Sequence, residues 1–205
     1  MNLVGGLTGR GPSWRATVDM PRALVVALHL RDAAGLQVRT EHAPPPLEPS
    51  VDLDGALVQR ATQAAAEAWV PWWHGLLARN PEFSGVPPLV PDPFPELPVD
   101  LRALIGTGLP AADAWFNARK REDLQALRQG VRPAATPRVG LIVNEVEQEL
   151  GRAAAPFDLL ISILPVTGLW GRRARRDHVL ISRSLAAYED GVAALLEPVV
   201  RDLAG

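Results

Sequence analysis

Arg172, Arg173, Arg175 and Arg176 place four guanidinium groups within five residues, beside Trp170 and just ahead of Asp177. Planar guanidinium forks bind phosphate and carboxylate in bidentate fashion. A neighbouring indole adds a face on which a cation or a base can stack. The segment is therefore a candidate contact for an anionic ligand or an acidic protein partner; the plainer alternative is a solvated loop paired with acidic neighbours. Nucleic acid fits it poorly. The chain carries 21 basic against 23 acidic side chains, the basic cluster is a single short segment, and aromatic residues do not interleave with it.

His178 follows Asp177 at the start of a strand-like run, with Ser182 and Ser184 downstream. These are the residue types of a hydrolytic triad, but adjacent side chains on one strand point to opposite faces, so Asp177 is badly placed to orient His178. No G-x-S-x-G elbow presents a nucleophile. His178 and His74 remain the candidate acid–base groups of a small enzyme acting on an anionic substrate, with Arg172, Arg173 or Arg176 holding the anion. The ordinary alternative makes His178 a strand-end residue with a satisfied hydrogen bond.

Other chemistries are excluded or unsupported by residue type. There is no cysteine, which removes disulfides, thiolate zinc sites, iron–sulfur ligation and cysteine nucleophiles. His29, His42, His74 and His178 are scattered, with no His-x-His pair and no HExxH helix, so no metal and no cofactor is expected. Glu145 and Glu149 stand four apart on a helical pattern and can bridge a divalent ion or act as a paired acid and base. Alternatively they form a solvated face with Arg152 as counter-charge. In GGLTGRGPS (residues 5–13), Gly6 and Gly11 have phosphate-loop spacing, but Pro12 and Ser13 stand where that motif needs Lys and Ser or Thr.

Three of the six tryptophans fall in Trp69-Val-Pro-Trp-Trp-His74. Exposed, Trp72 and Trp73 would anchor an apolar partner surface; buried, they fill the core. Pro88-x-x-Pro91 and Pro95-x-x-Pro98 have the spacing of groove-docking ligands, but Asp92 and Glu96 flank them with no basic residue near.

The elements that must position these residues follow from periodicity. Residues 13–20 alternate, with Trp14, Ala16, Val18 and Met20 on one face, as in a half-buried strand. ALVVALHL (residues 23–30), a Gly35-terminated loop and alternating LQVRTEH (residues 36–42) read as a hairpin. The competing reading is a helix over residues 21–34, with Pro21 in its first turn and Gly35 as its cap. Asp54 opens an amphipathic helix that Pro71 should kink, with a short segment at 72–79 beyond. Helices are expected near 99–105, 111–129 and 138–152, strands at 157–165 and 178–184, and a terminal helix at 185–204.

The fold class expected is α+β: an antiparallel sheet from an N-terminal hairpin (about 14–42) and a C-terminal hairpin (about 157–184), with a helical middle and a C-terminal helix. A single domain over residues 1–205 is expected, with proline-rich connections at 43–50 and 81–98. The chain length allows about two-thirds of its surface to be buried. All basic residues but Lys120 are arginine, which reflects GC-rich codons and points to a bacterial genome. The opening residues lack a charged and apolar secretory leader, and no apolar run approaches the roughly 18 residues of a membrane span, so a cytoplasmic protein is expected. The function expected is a non-catalytic binding or assembly module. It would contact a protein partner, a second copy or an anionic ligand through the Arg-rich loop and an exposed Trp region.

Overall fold

A computed structural model of the protein describes residues 2–3, 14–38, 43–78, 97–129 and 138–205. In chain order the elements are β1 (Asn2–Leu3), β2 (Trp14–Asp19), α1 (Arg22–Ala33), α2 (Gly55–Val58), α3 (Gln63–Ala78), α4 (Val99–Arg128), α5 (Val139–Leu150), β3 (Phe157–Leu164), β4 (Gly171–Arg175), β5 (His178–Ser182), α6 (Arg183–Ala186) and α7 (Glu189–Ala204). They fall into two compact units, one of residues Met1–Met20 with Gly130–Gly205, the other of Pro21–Gln129. Among the described residues no helix is long and apolar enough to cross a membrane.

The first unit is built on a sheet of order β1-β2-β3-β5-β4. Helices and strands segregate as an α+β fold requires, but the sheet is mixed rather than antiparallel. β2 pairs with β3 in parallel, β3 with β5 in parallel, and only the outer pairs β1–β2 and β4–β5 are antiparallel. The two runs expected to form the C-terminal hairpin, at 157–165 and 178–184, are therefore parallel neighbours. The segment expected to be the loop between them is itself a strand, β4, and it makes the hairpin with β5. β5 is buried at all five residues, as strands of sheets covered on both faces commonly are.

One face of this sheet takes Trp14, Ala16, Val18, Leu159, Ile161, Val179 and Ile181 into a core with Val139, Ile142, Val143 and Val146 of α5 and Val192, Leu196, Val199 and Val200 of α7. At the α5 end, Gly151 adopts φ 65° and closes the helix. A left-handed turn of this kind suits a residue without Cβ.

The second unit corrects the N-terminal hairpin. Residues 23–30 lie in helix α1, and Leu36–Val38 form no strand; residues 39–42 lie outside those described. Every residue of α1 from Leu24 to Arg31 is buried. A helix buried on all sides has no alternating or 3.6-residue pattern, so its apolar run cannot be told from a strand by periodicity. The punctuation was the better guide: Pro21 is the N-cap, and Gly35 with φ 64° follows the C-cap.

Asp54 caps α2 by accepting from the amides of Ala56 and Leu57. Thr62 then accepts from Ala65 N and starts α3 afresh, so the one helix expected from Asp54 is two. Pro71 and Pro110 lie inside α3 and α4 without ending either. Burial at Leu104, Ile105, Ala112 and Phe116 continues across Pro110, and this packing outweighs one lost backbone hydrogen bond. Trp69 donates its indole N–H to Ala27 O at 3.0 Å and stacks on Trp73 at 5.3 Å between ring centroids.

The connection at residues 43–50 is held to α1. Arg31, itself buried, forks to the carbonyls of Pro44 and Pro45 and pairs with Asp32, whose second oxygen accepts from Leu47 N. The phosphate-loop-like residues 5–13 and most of the proline-rich stretch 81–98 lie outside the described residues.

Candidate functional site

The sheet face turned away from α5 and α7 carries Thr17, Asp19, Ser162 and His178. Its composition follows from register. One row across the sheet runs Asp19, Ser162, Leu180, Arg172, and the next runs Thr17, Leu160, His178, Arg175. Side chains in register share a face. An irregularity between Arg173 and Arg175 shifts the register of β4. Such a bulge re-aims the residues after it. Arg172 and Arg175 thus lie on the polar face, while Arg173, in register with Val179, lies on the α7 face.

At the centre of the polar face, Ser162 Oγ and His178 Nε2 are 2.8 Å apart, with the residues 1% and 4% exposed. Leu164 and Leu180, also buried, stand beside them. A buried imidazole and hydroxyl so paired satisfy each other. Asp19, in register with Ser162, is exposed. The carboxylate thus neighbours the serine's strand position, whereas a triad needs it on the imidazole's other nitrogen. Arg15 and Asp158, one row further down, form an exposed ion pair at 3.1 Å.

The arginines are engaged with carboxylates and carbonyls. Arg173 and Arg176 both reach Asp202 on α7, and Arg176 also donates to the Asp202 carbonyl. Arg173 donates further to Arg176 O, closing the β4–β5 turn. The Arg173 hydrogen bond, with the charges of Arg173 and Arg176, holds the Asp202 carboxyl below its ordinary value. Arg175 lies 3.5 Å from Asp177. Trp170 is half-buried at the start of the hairpin, where its N–H donates to Ser182 Oγ and its carbonyl accepts from Ser182 N. Ser182 also donates to Gly168 O and caps α6 by accepting from Leu185 N, so this serine is a structural clasp.

Other candidates are dispersed. His74 is exposed and belongs to the second unit, whereas His178 belongs to the first. Trp72 and Trp73 are buried at 6% and 2% exposure, so neither offers the apolar surface expected of an exposed Trp region. Three tryptophans on one helix fill core because a stacked pair buries more area inward than outward. Glu149 pairs with Arg201 of α7 rather than with Arg152, which donates to Gly205 O. No group of three or more metal-ligating side chains is present among the described residues.

Three residues of this region were not singled out by sequence: Ser162, Asp19 and Asp202. Ser162 left a signal, being the one polar position in Leu159–Leu164 of a strand otherwise apolar there. A polar group in such a run needs a partner. Asp19 and Asp202 left none, since their roles depend on register and helix docking.

Comparisons with protein-family models, curated proteins and solved structures found no match to this chain.

Proposed function

We propose that this chain is a non-catalytic binding module that takes an acidic, extended partner segment along β4. The observation that carries this reading is the place of the four arginines. Arg172, Arg173 and Arg175 lie on a strand that ends the sheet and pairs on one side only among the described residues, and Arg176 follows in the turn. An edge strand offers unpaired backbone donors and acceptors to an incoming extended chain. Here the segment also carries guanidinium groups, with Arg175 near Asp177 and Arg173 and Arg176 reaching Asp202. Four arginines in one short segment favour carboxylates on the partner, and Arg forks suit them.

The test is fluorescence anisotropy of a labelled deca-glutamate peptide titrated with the full chain. Arg172→Glu with Arg175→Glu should abolish binding, and raising salt should weaken the wild type. Equal affinity for the double variant would overturn the reading. A single-stranded oligonucleotide bound more tightly than the peptide would point to nucleic acid instead.

A second reading is favoured by one observation: Arg175 and His178 are register partners on the same face, and an anion clamp beside an acid–base imidazole is what a small enzyme on an anionic substrate needs. The burial of His178 counts against it. Hydrolysis of p-nitrophenyl phosphate that is lost in His178→Gln would support the enzyme; its absence in the wild type would leave the binding module standing alone.

A further inference from the structure

We propose that the segment taken by β4 alternates apolar and acidic residues and pairs antiparallel, an inference that rests on the edge-strand reading. The hydrogen bonds of β5 fix which backbone groups of β4 look outward. Ser182 N donates to Trp170 O on the β4 side, and Leu160 N donates to Asp177 O on the β3 side. Even-numbered residues of β5 therefore bond β4, and odd-numbered ones bond β3. Gly171 and Arg173 stand opposite Ile181 and Val179, so their N–H and C=O groups turn to the free edge. Antiparallel pairing is the more stable per residue, and a partner residue directly opposite Gly171 exchanges both bonds with it. Its side chain falls on the same face as that of Ile181, which lies in the core with α5 and α7.

On that face Gly171 leaves the surface to its neighbours. A Cβ there would meet Leu185 Cδ2 at 2.5 Å and Leu195 Cδ2 at 2.6 Å, and Leu195 is only partly buried. Leu185 carries the apolar surface on to Tyr188. A Cβ on Gly191 would meet the Tyr188 ring at 2.5 Å and Leu185 Cδ1 at 2.8 Å, and Tyr188 is 48% exposed. A side chain on the residue bonded to Gly171 thus lands on Leu195 and its apolar neighbours. A carboxylate placed there would lose water without gaining a partner. The next residue of the segment points to the opposite face, where Arg172 and Arg175 lie, and a carboxylate there meets guanidinium forks. The edge therefore selects apolar residues at the bonded positions and acidic residues between them.

Anisotropy titrations of the full chain with three labelled peptides test this: deca-glutamate, an alternating Glu-Val decapeptide, and a block peptide of the same composition with all Glu before all Val. The alternating peptide should bind about tenfold tighter than the other two, since it alone buries apolar side chains on Leu195. Charge by itself ranks deca-glutamate first. Methylating the Val amides of the alternating peptide should abolish binding, because those N–H groups bond the edge; methylating its Glu amides should not. Leu195→Ser should erase the preference for the alternating peptide over deca-glutamate. Deca-glutamate that binds at least as tightly as the alternating peptide would overturn this inference and leave the edge-strand reading standing. Binding by neither peptide would remove both. Equal or reversed effects of the two methylations, or a preference kept in folded Leu195→Ser, would also overturn the inference.

Discussion

Ser162 Oγ and His178 Nε2 face each other at 2.8 Å across two parallel strands, both nearly closed to solvent. In a buried site such a bond matters through what its loss leaves behind. Ser162→Ala removes the hydroxyl and leaves the imidazole nitrogen without it. A buried polar group so orphaned costs about 1–3 kcal/mol, readable from urea denaturation as a lower midpoint with unchanged slope. Replacing both groups, as Ser162→Ala with His178→Leu, should cost less than the two single losses added together.

Asp202 joins α7 to the hairpin through Arg173 and Arg176. Asp202→Asn should leave those guanidinium groups more available and tighten deca-glutamate binding several-fold, if β4 is the contact surface. The acid response has a defined sign. The carboxyl sits below its ordinary value of 3.8 in the folded chain, so the tie is intact above that value and is lost as pH falls through the folded one. A carboxyl-carbon NMR titration should show Asp202 titrating below the ordinary aspartate value.

Arg31 holds the proline-rich strap by forking to two carbonyls, pairing with Asp32 and lying 5.8 Å from the Trp69 ring centroid. Arg31→Ala should cost about 3–5 kcal/mol, because it strands a partly buried carboxylate and two carbonyls. Arg31→Lys should rescue little, since a point charge cannot span both carbonyls. Both effects are measurable by chemical denaturation.

His29 is buried in α1, edge-on to Trp115, and its Nδ1 has no hydrogen-bond partner among the described residues. Burial pushes its pKa below the ordinary 6.5, outweighing the upward pull of Asp32 and Asp54. The folded chain therefore favours neutral imidazole. Its contribution is intact above pH 6.5 and is lost as pH falls from there through the folded value. Thermal unfolding followed from pH 7.5 to 5 should show a drop in Tm that is smaller in His29→Leu.

How much of this was legible in the sequence depended on which residues were punctuated and which were merely patterned. The alternation of Trp14, Ala16 and Val18 identified β2 and its buried face, and Val139, Ile142, Val143 and Val146 identified α5, because each has one wet side. Leu24–Leu30 has none, so its pattern reads as a strand, although Pro21 and Gly35 mark the ends of a helix. Strand direction was also hidden: nothing in Phe157–Leu164 or His178–Ser182 states that the two run in parallel. That pairing alone brings Ser162 beside His178. The arginine cluster was visible as composition, but its division between two faces depends on the irregularity between Arg173 and Arg175, which no spacing announces.

The most direct measurement of the binding role is amide chemical-shift mapping of the full chain as deca-glutamate is added. Shifts concentrated at residues 171–176, with Asp202 following as its guanidinium partners are drawn away, are the expected result. Shifts that leave β4 untouched while the peptide binds would contradict the account.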